Sequence, residues 1–111
     1  MTVMDALQVV AEPHRREILR LVWDEELAAG DIAERFDISF GAVSQHLSVL
    51  RDAGFVRVRR EGKRRFYQAD MDGLGSLKQL LEGMWSSQIE RLALLAERAE
   101  LAQHSSEMPQ S

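Results

Sequence analysis

Cysteine is missing from all 111 positions. Its absence excludes a disulfide framework, thiolate zinc sites and thiol nucleophiles together. Histidine is scarce, and His14, His46 and His104 stand far apart along the chain. Long apolar runs are lacking too. None approaches the roughly 20 residues that a membrane helix needs. The opening MTVMDALQ has neither the basic segment nor the apolar core of a signal peptide. These absences lead to the expectation of a cytoplasmic protein that does not touch a membrane.

What is present fits one ordinary domain, with 45% hydrophobic and 29% charged residues. The formal net charge is −4, but its distribution is uneven. Between Arg51 and Arg65 stand seven of the 14 basic residues, with only Asp52 and Glu61 to oppose them. A local field of this kind can dock a polyanion even on an acidic protein.

The hydrophobic pattern divides the chain into elements. Val3 to Val10 reads as a short helix, with Thr2 as its N-cap and Asp5 three residues on in a capping box. Pro13 opens a second helix, whose stripe is Ile18, Leu19, Leu21, Val22 and Trp23. Asp24, Glu25 and Glu26 form a polar loop, and Asp31 to Phe36 a short third helix. Asp37 falls at a sharp turn, where aspartate tolerates a left-handed backbone better than most residues. Ser39 caps a fourth helix that runs to about Ala53, burying Val43, Leu47 and Leu50, and Gly54 closes it.

The period then changes to two. Phe55 to Arg59 and Arg64 to Gln68 read as a β-hairpin around Glu61-Gly62-Lys63. A long helical pattern follows from about Asp72 to about Gln103. Leu74, Leu77, Leu81, Met84, Trp85, Gln88, Leu92, Leu95 and Ala99 lie near one of its faces. The expected organisation is one domain over residues 1–104 and a disordered tail over 105–111. It has five helices and two strands, mainly α with a small β-hairpin wing.

Helix, helix, short helix, turn, capped helix, basic hairpin and long helix is the order of a winged helix-turn-helix. With Val43, Leu47 and Leu50 inward, the fourth helix turns Gly41, Ser44, Gln45 and Ser48 outward, and no acid occurs from Ile38 through Leu50. A helix entering the major groove needs this combination: close approach, no repulsion of phosphates, and hydrogen-bonding groups for base edges. Gln45 can pair bidentately with adenine. His46 sits at the edge of this face, where a packing role and a phosphate contact are both open. Arg59, Arg60, Lys63, Arg64 and Arg65 equip the hairpin to clamp the phosphate backbone or enter a minor groove. A winged-helix module that binds protein is the alternative reading, although such modules usually lose the basic wing. An enzyme is not expected, because the paired carboxylates Glu25 and Glu26 have no nucleophile or histidine near them in sequence.

The stretches ALQVVAEPHRREILRLV and DIAERFDISFGAVSQHLSVLRDAGFVRVRREGKRRFYQ closely resemble the ArsR-type bacterial repressors. The resemblance runs from Met4 to about Trp85. It implies a homodimeric repressor that joins through its first and last helices and sets two recognition helices into successive major grooves of an inverted-repeat operator. It places Ser39, Gly41, Ser44 and Gln45 at DNA-contacting positions and Lys63 to Arg65 in the wing. Leu7 and Val10 of the first helix and Leu81, Met84, Trp85 and Leu92 of the last are the expected dimer seam.

The chain departs from the family's metal sensors. The short third helix, DIAERF, lacks their cysteine pair, and the last helix has only His104 in place of their Asp-x-His pair and later histidine. The expectation is therefore the non-metal branch, with no cofactor and no metal control. His14 is expected to be a surface residue at a helix start, remote from His46. One residual metal site would join His104 to Glu97 or Glu100 across subunits. A small-molecule effector stays open.

Overall fold

The computed structural model describes residues 2–107, except for the side chains of residues 89, 90, 93, 94 and 99–107. Helix α1 spans Val3–Ala11 and is closed by the expected capping box. The Asp5 N–H donates to Thr2 Oγ1 at 3.2 Å, and the Thr2 N–H donates to Asp5 Oδ2 at 3.3 Å. Helix α2 spans Pro13–Leu21. Its first turn needs no donor from Pro13, and the Glu12 carboxylate caps it by accepting the Arg15 N–H at 3.0 Å.

Strand β1 is only Leu27–Ala28, and α3 follows at once over Ala29–Ala33. The third helix thus begins two residues before the expected Asp31 and ends earlier. Its last turn tightens through i→i+3 bonds from Arg35 to Ile32 and from Phe36 to Ala33. That tightening turns the chain, and Asp37 has no left-handed backbone: among the described residues only glycines have positive φ.

Helix α4 covers Phe40–Asp52, and the Ser39 hydroxyl accepts the Ala42 N–H at 3.1 Å. Val43, Leu47 and Leu50 form its buried stripe. Gly54, at φ 80°, turns the chain into β2, Val56–Glu61. Strand β3, Arg64–Ala69, returns from a two-residue loop in which Gly62 has φ 61°. A type II′ loop requires such a glycine as its first central residue. The sheet has three antiparallel strands in the order β1-β3-β2. The third strand was not expected, because two residues are too few to show an alternating pattern.

Helix α5, Met71–Leu74, is separate from α6, Leu77–Glu107. The single long helix expected from the sequence is broken at Gly75, whose φ of 55° and ψ of −129° suit essentially only glycine. The described chain therefore has six helices and three strands. Gly73 lies against the earlier turn: a Cβ at Gly73 would fall 1.7 Å from the Gly54 carbonyl oxygen. Two backbone bonds of 2.9 Å, Ala69 N–H to Val22 and Asp70 N–H to Phe55, tie the sheet to the end of α2 and the turn after α4.

The chain forms two compact units, Met1–Gly75 and Ser76–Ser111. The core of the first is built on Ile18, Leu19, Val22, Ile32, Val43 and Leu50, all fully or almost fully buried. In the second, Leu77 and Leu81 are buried, Met84 and Trp85 are half-buried, and Leu80, Leu92 and Leu95 are exposed. Helix α6 is described to Glu107, three residues past the boundary expected at 104, while the rest of the expected tail, 108–111, lies outside the described residues. No helix among the described residues is long and apolar enough to cross a membrane.

Candidate nucleic-acid interface

The stripe that anchors α4 decides what it shows to solvent. With Val43, Leu47 and Leu50 inward, Gly41, Ser44 and Gln45 are exposed and Ser48 is half-exposed. Gly41 is informative because the fold does not require it. A Cβ there would meet nothing closer than Ser39 Oγ at 3.9 Å. Glycine gives a helix less stability than alanine, up to about 1 kcal/mol in an interior turn, so a bare backbone at this point suits close approach by something outside the chain. The α4 sequence presents no acid before Asp52.

The hairpin register sorts the wing cations between its two faces. Val56, Val58 and Arg60 pair with Ala69, Tyr67 and Arg65. Side chains directly opposite share a face, so Arg60 and Arg65 continue, at the exposed tip, the face that buries Val56, Tyr67 and Ala69 nearer the core. Two like charges directly opposite are destabilising by themselves. Among the described residues no ion pair relieves Arg60, Lys63 or Arg65. On this side a cleft of about 380 Å³ separates Phe40, Val43, Ser44 and Leu47 of α4 from Lys63, Arg64 and Arg65. The Ser44 hydroxyl and the hairpin cations thus line one opening.

Arg59 lies on the other face and is already occupied. It donates to Glu26 Oε1 at 2.6 Å and to Glu61 Oε2 at 3.0 Å, and its guanidinium rests 4.6 Å from the Phe66 ring centre. These bonds hold the Glu26 carboxyl below its ordinary range and push Arg59 further up. Arg64 lies 5.1 Å from the same ring centre and 3.7 Å from Asp31. The partners Glu26 and Phe66 were missed in the sequence, since Glu26 and Arg59 are 33 residues apart.

His46 does not join the exposed face of α4. It is half-buried, its ring stacks on His14 at 5.4 Å between centres with 13° between planes, and its Nδ1 lies 3.7 Å from Glu12 Oε2. Of the two roles left open for it, packing is the one its surroundings support. The expectation that His14 stands apart from His46 is overturned as well. His14 Nδ1 is 2.8 Å from Glu12 Oε1, and the His14 ring also leans on Phe36. Burial pushes the Glu12 carboxyl up. The His14 bond, the Arg15 N–H and the two imidazoles outweigh it, so the group ends below its ordinary value. The signal in the sequence was His46 beside the buried Leu47, which turns its ring partly back onto the protein.

The expected dimer seam divides. Leu7 is 37% exposed and Leu92 is 65% exposed, and Met84 and Trp85 are half-buried. Val10 and Leu81 are buried within the single chain, at 5% and 0% exposure. As arranged in the single chain, these two side chains expose little area, and the exposed part of the expected seam is Leu7 and Leu92. Glu97 is exposed, while the side chains of Glu100 and His104, invoked for a residual metal site, lie outside the described residues.

Known proteins similar to this chain are regulators of one family. A family model described as the bacterial regulatory protein, arsR family, matches residues 12–58. An HTH-type transcriptional regulator of Mycobacterium tuberculosis is 39% identical over 90 residues, which is 81% of this chain and 84% of the relative. The transcriptional repressor SdpR of Bacillus subtilis is 36% identical over 63 residues, 57% of this chain and 70% of the repressor. Among solved structures, the homodimeric winged helix-turn-helix DNA-binding domain of a Mycobacterium bovis protein is similar with a TM-score of 0.65. It is 27% identical and covers 79% of each chain.

Proposed function

Because this chain belongs to the ArsR family and is a DNA-binding transcriptional regulator, not an enzyme, we propose that it works in the cytoplasm as a homodimeric repressor reading an inverted-repeat operator through α4. The observation that carries the reading is the shared opening between the acid-free face of α4 and the unpaired cations Lys63 and Arg65. Gln45 offers an amide to a base edge, and Gly41 lets the backbone come close. Ser39, Ser44 and Ser48 supply hydroxyls for phosphates or bases. Arg60, Lys63 and Arg65, with Arg64 beside them, neutralise the phosphate backbone without reading sequence. The relation to SdpR favours repression.

The test is quantitative binding of the full chain to its operator and to random DNA of equal length. Gln45→Ala costs about 1–3 kcal/mol on the operator and little on random DNA. Equal losses on both would remove Gln45 from sequence reading. A reporter placed behind the operator gives the sign of regulation: expression rises on deleting a repressor and falls on deleting an activator.

A further inference from the structure

Three ligating side chains, brought from two helices, converge outside the DNA-facing surface. Glu12 and His14 stand at the start of α2, and His46 belongs to α4. One donor atom from each lies within 4.8 Å of the other two. The geometry points to a binding site for a divalent transition metal ion, held by Glu12, His14 Nδ1 and His46 Nδ1, that fastens the start of α2 to the recognition helix.

The chemistry of the donors narrows the ion. Two imidazole nitrogens and one carboxylate suit zinc, cobalt(II) or nickel(II), whereas calcium and magnesium require oxygen shells. A two-histidine, one-carboxylate set leaves a position for water. Metal–ligand bonds of 2.0–2.1 Å place neighbouring donors about 3–3.5 Å apart. His14 Nδ1 is 2.8 Å from Glu12 Oε1 and His46 Nδ1 is 3.7 Å from Glu12 Oε2, so the side chains have to turn to bring one carboxylate oxygen and both nitrogens to that spacing.

The arrangement also departs from what hydrogen bonding alone would build. His14 bonds Glu12, but His46 Nδ1 stops at 3.7 Å, beyond hydrogen-bond length; the two rings are stacked nearly parallel, and because nitrogen lone pairs lie in the ring planes, one imidazole has to rotate for both to meet the same ion. Both rings present the same nitrogen toward one carboxylate. Glu12 is in turn oriented by the Arg15 N–H, as the carboxylate of a metal site commonly is. All three side chains are half-buried, which leaves an ion a way in and limits competing water.

The sequence beside His46 gives the site a consequence. Gln45 precedes it on α4, so an ion drawn to His46 constrains the helix that carries the base-reading amide. The direct test is metal binding by the full chain, stripped with chelator and titrated with zinc and with cobalt(II). One ion per chain is expected, with the ligand-field absorption of four- or five-coordinate cobalt and a rise in thermal midpoint. His14→Ala, at a half-exposed position, and His46→Gln each lower the affinity by at least tenfold. His104→Ala and Gln45→Ala leave it unchanged. No binding at micromolar metal, affinity within threefold of the parent in either His14→Ala or His46→Gln, or a comparable loss in His104→Ala overturns the assignment. Gln45→Ala keeps the two readings separate, since it loses operator preference but retains the metal.

Discussion

At Arg59 the guanidinium's hydrogen bonds go to Glu26 and Glu61, while Arg65, on the other face of the same hairpin, has no ion pair among the described residues. Identical charges therefore have different consequences. Arg65→Ala lowers affinity for operator and random DNA by similar factors and reduces the salt slope by about 0.9 for each phosphate that each subunit no longer neutralises. Arg59→Ala leaves the slope nearly unchanged; a drop equal to that of Arg65→Ala would put Arg59 on DNA after all. Glu26 supplies a pH test. Its carboxyl is lowered from 4.5 by the Arg59 bond, so its contribution to stability is present above that ordinary value and is lost as pH falls through the lower folded value. The gap in thermal midpoint between parent and Glu26→Gln accordingly exists at pH 7 and closes with acidification. A gap that widens in acid would contradict the pairing.

Helix α4 separates folding from function at one position. Gly41→Ala removes the backbone freedom of a helical glycine and meets only Ser39 Oγ at 3.9 Å, an ordinary contact, so it stabilises the protein, by less than the ~0.5–1 kcal/mol of a mid-helix position because Gly41 is in the first turn. The added methyl stands where the backbone is proposed to approach DNA, and operator affinity falls. Thermal melts and binding isotherms on the same sample check both. Gly73→Ala behaves oppositely: its methyl collides with the Gly54 carbonyl, which is backbone and cannot swing aside. A loss of at least about 1–3 kcal/mol is expected. The same distinction explains what the sequence made legible. The caps at Thr2 and Ser39, the α4 stripe and the basic hairpin are local patterns, and each is present, although Glu61, read as part of the turn, is the last residue of β2 and pairs with Arg64. Strand β1 exists only because β3 pairs with it, the break at Gly75 depends on one glycine's backbone, and the meeting of His14 with His46 depends on how α2 and α4 pack. Neighbours brought together by tertiary packing leave little local signature.

The whole molecule presents apolar side chains that its own fold does not cover. On α1, Val3 and Met4 are 76% and 67% exposed, and on α6 Leu92 and Leu95 stand in solvent beyond the buried Leu81. Exposed apolar residues repeated along a helix mark an association surface when they form a patch, and the M. bovis domain similar to this chain is homodimeric. Two copies joined about a two-fold axis would present two α4 helices to half-sites about one helical turn, ~10 bp, apart or a multiple of it. Joining the subunits makes the second half-site encounter intramolecular, which adds affinity of about 10²–10⁴-fold with no further interaction at the DNA surface. Leu7→Glu combined with Leu92→Glu places charges on both exposed faces and leaves the buried Val10 and Leu81 intact. The expected product is a folded monomer, verified by circular dichroism and sedimentation equilibrium. It should lose at least a hundredfold in affinity for the full operator and almost none for a single half-site. A parent chain that sediments as a stable monomer at micromolar concentration would defeat the dimer; a variant that weakens full and half operators equally would show that the lost affinity came from elsewhere.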